Sequence, residues 1–257
     1  MLLSNFLEGI NRRATLEMIL KALLSLTLLL PLLACSDSSD SLQVFAAASL
    51  TEAFEQISTE FEKDSGIKVT LSIAGSSALA AQIEDGAPVD VVAFADEETL
   101  ERVKSSGRLT VYIETIFASN YLTIATPKGN PADIRDVADF SDKIIAVCSE
   151  RVPCGRLSSE LISWLDVEIN PATREPNVRA VRTKVELGEV DAGLIYITDI
   201  NDQIESILIE GSENIQTKYP ITIIDDAKPG AESFVEFVLS PYGQKILKQF
   251  RFGGPAQ

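Results

Sequence analysis

Along the chain from Leu42 onward, short apolar runs alternate with stretches whose apolar residues return every third or fourth position. The first pattern predicts buried strands, and the second predicts helices with one packed face. "LQVFAAA" (42–48) reads as a strand. Leu50, Ala53, Phe54, Ile57 and Phe61 then recur at helical spacing until Gly66. Ser49 and Glu52 fit a capping box, in which the serine accepts from a first-turn amide and the glutamate reaches back. "KVTLSIA" is a second strand and "GSSALAAQIEDG" a small-residue corner followed by a short helix. "VDVVAFA" is a third strand, and "DEETLERVKSSG" a helix capped by Asp96.

The alternation continues with "NYLTIATPKG" and "KIIAVCS" as strands and "VPCGRLSSELISWL" as a loop entering a helix. "PNVRAVRTKVELG" is a helix opened at Pro176. "DAGLIYIT" is a strand that reaches Tyr196, "YPITIID" is another strand, and "ESFVEFVLSPYGQKILKQFRF" forms terminal helices. Strands alternating with helices predict an α/β fold with a largely parallel sheet.

The first 34 residues stand outside this pattern. "KALLSLTLLLPLLAC" places a basic residue before an apolar stretch, Ala22 to Leu33, that is short for a membrane span and suits an export signal. Its end resembles the lipobox of bacterial lipoproteins, which implies cleavage before Cys35 and lipidation of its sulfur. An ordinary export signal with an incidental cysteine is the alternative. Glu8 ahead of Arg12 and Arg13 leaves open whether translation starts at Met1 or Met18. "SDSSDS" after Cys35 is a polar, flexible tether, so residues 35–41 carry the anchor and spacer.

Charge and composition narrow the function. The chain has 257 residues and a net charge of −16. Loss of residues 1–34 removes three cations and two anions and leaves −17. Nucleic acid is excluded as a partner, because its binding needs clustered cations. The chain has no histidine. That excludes Ser-His-Asp and Cys-His catalysis, His-ligated metals and a histidine switch. Cys148 and Cys154 remain after lipidation of Cys35. In an oxidising compartment they can form a disulfide closing a small loop. A catalytic thiol pair is the alternative, although the spacing is not C-x-x-C.

Several strand-to-helix corners share one design: Ser49, Gly75-Ser76-Ser77, Cys154-Gly155 and Asn177-Val178 all sit at predicted helix starts. The first amides of a helix lack internal partners and carry partial positive charge, so such ends bind anions. In open α/β sheets the ligand crevice lies at the carboxyl ends of the strands. Each corner taken singly is also explained by plain capping, and Tyr196 by core packing with its hydroxyl at the edge. A hydrolase is the reading from another class. "AGSSA" lacks the G-x-S-x-G elbow, a serine has no histidine base, and Asp96, Asp191 and Asp199, the acids such an enzyme would use, are read instead as capping or solvated residues. Trp164 falls in a helix, where core packing is expected of it.

Taken together, "VFAAASLTEAF", "GSSALAAQIEDGAPVDVVAFAD", "VPCG", "NVRAV", "DAGLIYITD" and "SPYGQKIL" resemble the molybdate-binding proteins of bacterial ABC importers, over Leu42 to Phe252. The resemblance implies a two-lobed, type II periplasmic-binding-protein fold. Each lobe would hold a mainly parallel sheet flanked by helices, with the ligand in the cleft between them. Lobe I would comprise residues 42–120 and 219–257, and lobe II residues 121–218. Ser49, Ser76, Cys154, Val178 and Tyr196 would hold the oxyanion through hydroxyls and main-chain amides, without a metal, cofactor or catalytic group. The partners implied are molybdate or tungstate, a membrane permease, and the membrane through the lipid on Cys35. The protein would be an exported, lipid-anchored monomer in the periplasm or on the outer face of the cytoplasmic membrane. Sulfate or phosphate is the alternative ligand. Acidic side chains are expected on the outside, and binding is expected to be insensitive to pH between about 6 and 8, because no histidine titrates there.

Overall fold

The computed structural model describes residues 41–107 and 114–255. The export segment, Cys35 and the tether up to residue 40 lie outside the described residues. Among those described, the strands form two five-stranded sheets. The first contains β1 (Leu42–Ala47), β2 (Val69–Ala74), β3 (Val91–Ala93), β4 (Thr115–Asn120) and β10 (Thr217–Ile223), in the order β2-β1-β3-β10-β4. The second contains β5 (Leu122–Pro127), β6 (Ile145–Cys148), β7 (Thr173–Glu175), β8 (Ala192–Tyr196) and β9 (Ile204–Ile207), in the order β7-β6-β8-β5-β9. The helices are α1 (Thr51–Ser65), α2 (Ser76–Glu84), α3 (Glu97–Ser105), α4 (Pro153–Leu165), α5 (Val178–Glu186), α6 (Ala231–Leu239) and α7 (Pro241–Gln249).

Each sheet is mixed, not mainly parallel. β1 pairs in parallel with β2 and β3, while β10 runs antiparallel to β3 and β4. The second sheet repeats the plan: β6 is parallel to β7 and β8, while β5 is antiparallel to β8 and β9. The antiparallel strands are those beside the crossings between sheets. β4 leads into β5 across Tyr121, and β10 returns the chain from β9. A strand that enters directly from the other lobe has no crossover helix to reverse its course, so it pairs antiparallel.

Three strands escaped the periodicity. β4, β7 and β9 are edge strands. Exposed residues break β7 and β9, the latter with one buried, two exposed and one half-buried residue, while β4 holds only the short apolar run Ile116, Phe117 and Ala118. Trp164 does lie in a helix but not in the core. It is 54% exposed, and its ring lies over Gly211, where a Cβ would meet it at 2.5 Å.

The first lobe's core is aromatic. Phe54, Phe61, Phe117 and Phe234 meet tilted or edge-on at 5.2–6.2 Å between ring centres. Tyr219 closes the cluster against Phe117 and Phe252. Such pairs add about 0.5–1.5 kcal/mol each beyond the area they bury. The second core lies between the β5–β8 region and helices α4 and α5, and includes Ile124, Val147, Leu157, Leu161, Val181 and Leu194.

Cys148 ends β6 and Cys154 lies in the first turn of α4; they form a disulfide with a Cα–Cα distance of 5.7 Å. The enclosed turn is tight, since a Cβ on Gly155 would sit 1.9 Å from the Ser149 carbonyl oxygen. A loop this short is expected to contribute about 2 kcal/mol by restricting the unfolded chain. Reduction should therefore lower the unfolding free energy by about 2 kcal/mol and shift the denaturation midpoint down. A midpoint unchanged by reductant, or two free thiols in exported protein by mass spectrometry, would contradict this.

Candidate ligand-binding site

The three parallel strands of each sheet all end at one place. A small cavity there is lined by Ala47, Ala48 and Ser49 after β1, Gly75 and Ser76 after β2, and Ala95 after β3. The second lobe supplies Val152, Pro153 and Cys154 after β6, Pro176, Asn177 and Val178 after β7, and Tyr196 at the end of β8. The five residues singled out in the sequence thus line one cavity, two from the first lobe and three from the second. The cavity measures about 20 Å³ as room for the centre of a water-sized sphere. Adding the radius of water gives a space about 3 Å in radius, which suits one central atom with a shell of oxygens and is too small for a sugar ring.

Small residues make the lobes meet closely. A Cβ on Gly75 would lie 2.9 Å from the Pro176 carbonyl oxygen and 3.1 Å from the Asn177 Cβ. Ser76 is the first residue of α2, Cys154 the second of α4 and Val178 the first of α5. Their amides belong to the first turn, where no intrahelical acceptor exists. Asn177 caps α5 by accepting from the Ala180 amide at 3.0 Å.

The side-chain donors are held from behind. The Ser76 hydroxyl accepts from the Ala95 amide at 3.0 Å, so its own proton is free for another acceptor. The Tyr196 hydroxyl is buried and has no hydrogen-bond partner among the described residues. Burial above all, then the nearby Tyr219, raises its phenol well above the ordinary value, so it remains a donor. A buried hydroxyl without a partner calls for an explanation, and this residue lines the cavity.

The predicted capping box does not form. Ser49 sits in a 3-10 turn, Ala48–Leu50, that precedes α1, and its hydroxyl pairs with the Tyr219 hydroxyl at 2.8 Å. Glu52 reaches across to the second lobe and holds Arg179. A guanidinium opposite a carboxylate is a stronger partner than the backbone amide a capping glutamate would take. Burial raises the Glu52 carboxyl, but the hydrogen bond and charge of Arg179, with Arg182 behind, outweigh it and hold the group below its ordinary value. Across the other rim, Arg156 binds Asp96 at 2.8 Å and Thr99 at 3.0 Å, while Ser77 donates to the Arg151 carbonyl at 2.9 Å. Cations thus bridge the lobes, yet no lysine or arginine lines the cavity among the described residues.

Two aspartates contradict the expectation that acidic groups lie outside. Asp90 is buried and accepts from the amides of Gln43 and Lys228 at 2.7 and 2.9 Å. Asp199 is fully buried in the turn after Tyr196. Arg179 Nε lies 2.9 Å from its Oδ1 but aims its N–H at the Ala48 carbonyl, 3.1 Å away. Neither oxygen receives an aligned hydrogen bond among the described residues. Burial therefore dominates and pushes Asp199 up to about 7, against the lowering by Arg179 and Arg182. Asp191, also considered in the sequence, accepts from the Ile144 amide on an exposed surface and takes no part in the cavity.

A family model described as bacterial extracellular solute-binding protein matches residues 42–252. The chain belongs to that family. Molybdate-binding protein ModA of Mycobacterium tuberculosis is 34% identical to this solute-binding protein over 223 residues, which are 84% of this chain and 85% of the relative. Molybdate-binding protein ModA of Escherichia coli is 26% identical over 228 residues, or 81% and 87% of the two chains. The solved periplasmic molybdate-binding protein of Azotobacter vinelandii superposes with a TM-score of 0.70 at 19% identity, over 84% of this chain and all of that one, and shares its two-lobed α/β fold. The family is one of extracytoplasmic solute carriers. Among the described residues no helix is long and apolar enough to cross a membrane.

Asp199 gives the fold a pH dependence of its own, although the chain has no histidine. Its folded pKa of about 7 exceeds the ordinary aspartate value near 3.9, so the folded state keeps a proton that the unfolded chain releases. The associated stability is present at acid pH and is lost as the pH rises from about 4 through 7. Glu52 and Glu62, held low, titrate outside this window. Thermal unfolding of the ligand-free protein should therefore show stability falling by about 1–3 kcal/mol between pH 5 and 8. Asp199→Asn should flatten that slope; an equal slope in both proteins would refute the assignment.

Proposed function

We propose that this protein captures molybdate, and tungstate with it, outside the cytoplasm and delivers the anion to the permease of an ABC importer. The observation that carries this reading is the cavity itself: six parallel strand ends meet around hydroxyls and first-turn amides, with no cation in the lining. The relatives named for molybdate support the choice of anion. On this reading Ser49, Ser76 and Tyr196 donate through their hydroxyls, and the amides at Ser49, Ser76, Cys154 and Val178 complete the shell. No catalytic step, metal or cofactor is needed.

Neutral donors suit a ligand that must be both selected and released. A buried full countercharge would attract any anion, whereas fixed dipoles reward the one whose oxygens reach all of them. Each charge-assisted bond contributes about 1.5–3 kcal/mol, so five to seven of them, less desolvation and closure costs, give about nanomolar to micromolar binding. Sulfate, with shorter bonds, cannot span the same donors, while tungstate nearly matches molybdate in size. Residues 42–120 with 219–257, and residues 121–218, would be the bodies that open and close about the crossings. Cys35 would carry the lipid that keeps the protein, as a monomer, near its permease.

Calorimetry on protein lacking residues 1–35 tests the reading with a panel of molybdate, tungstate, sulfate and phosphate. Molybdate and tungstate should bind tightly, with sulfate and phosphate much weaker. Sulfate or phosphate matching molybdate would sink the assignment. Ser76→Ala should lose about 1–3 kcal/mol of molybdate binding; an unchanged affinity would remove Ser76 from the site.

A further inference from the structure

Behind Ser49 lies a chain of hydrogen bonds whose direction can be worked out from its far end. The Tyr121 amide meets the Asn120 side chain at 3.0 Å. A backbone N–H can only donate, so the atom it meets is the side-chain carbonyl oxygen, and the orientation of the Asn120 amide is fixed. The Asn120 Nδ2 then donates, at 2.8 Å to the Thr198 hydroxyl and at 3.2 Å to the Tyr219 hydroxyl. Tyr219 is fully buried, and its remaining partner is the Ser49 hydroxyl at 2.8 Å. With a donor already filling its acceptor side, the phenol gives its own proton to Ser49 Oγ. Ser49 accepts there, and its proton is left for the cavity it lines.

We propose that Tyr219 and Asn120 are positioning residues that make Ser49 an obligate donor toward the bound anion. The proposal rests on the reading of the cavity as an oxyanion site, and it adds residues that do not touch the ligand. Tyr219 packs in the first lobe's core, with its ring against Phe117 and Phe252, and Asn120 ends β4 at the crossing to the second lobe. The relay therefore draws its rigidity from the core. Without it, the Ser49 hydroxyl can turn its proton inward and offer the cavity a lone pair, which repels an unprotonated oxygen and accepts a bond from a protonated one. With it, Ser49 matches the Ser76 hydroxyl, whose acceptor side is filled by the Ala95 amide. Two hydroxyls locked as donors favour an anion that bears no proton of its own, and disfavour hydrogenphosphate.

The test is a double-mutant cycle read by calorimetry on the soluble protein, with molybdate as the probe and unfolding midpoints measured in parallel. Tyr219→Phe keeps the ring and removes the relay. It should weaken molybdate binding about tenfold, the loss of one charge-assisted bond. In a Ser49→Ala background the same change should cost less than about twofold, since the hydroxyl it orients is gone. Asn120→Leu should behave alike, and provides the cycle if Tyr219→Phe fails to fold. At pH 8, excess phosphate should compete better for Tyr219→Phe than for the parent. A merely structural Tyr219 would cost the same affinity in both backgrounds, and that result, or an unchanged affinity in the single variants, would overturn the proposal. A parent protein that binds no tetrahedral oxyanion would instead overturn the reading of the site.

Discussion

An anion removed from water inside a chain of net charge −16 needs donors that cannot turn away from it. The rest of this structure follows from that constraint. Loop hydroxyls and amides could relax toward other acceptors. Groups fixed at strand ends and helix starts cannot, because the sheet behind them sets their direction. Six strand ends meet at one point, three from each lobe. The antiparallel strands lie on the side of each sheet away from them and carry the chain across.

The charged groups complement this arrangement from outside the lining. Glu52 with Arg179 and Asp96 with Arg156 bridge the lobes on separate contacts. Glu52 is 44% exposed, so its pair is partly solvated. Ion pairs of this kind contribute about 0–1 kcal/mol each. They align the rims and neutralise the guanidinium groups nearest the cavity, but they do not hold the lobes shut against thermal motion. A ligand that bonds to both lobes then decides how much closed protein is present. Strong pairs would keep the site closed without cargo and slow its release.

Sequence periodicity revealed the parts of the fold set locally. Apolar or alternating strands and amphipathic helices write their period into neighbouring residues, so β1, β2, β6, β8 and most helices were legible. The edge strands β7 and β9 were not, because half-solvated strands carry no continuous apolar run, and β4 was not, because only Ile116, Phe117 and Ala118 in it are apolar. Glu52 shows a different limit. Its spacing from Ser49 satisfies a capping rule, but a cation 127 residues away offers a better partner. Asp199 and the Asn120–Tyr219 relay are harder still. Burial of one carboxyl, or the direction of a hydrogen-bond chain linking β1, β4 and β10, is a property of the assembled sheets. The polar residue at the end of a buried strand, as at Asn120, was the signal available.

The small corners have a reason that neither capping nor packing supplies. Ala47 with Ala48, Gly75 and Ala95 bring three backbone segments against one space, and Gly75 leaves less than a methyl group's room to the opposite lobe. A larger residue at Gly75 would hold the lobes apart and move Cys154, Val178 and Tyr196 away from Ser49 and Ser76 together. Size selection is thus built into the backbone, where no side-chain rotation can undo it. Polarity selection lies in the hydroxyls, where rotation is possible and must be prevented. The oxyanion site proposed here needs both: a rigid outline for the radius of the anion, and donors pinned from behind for its charge.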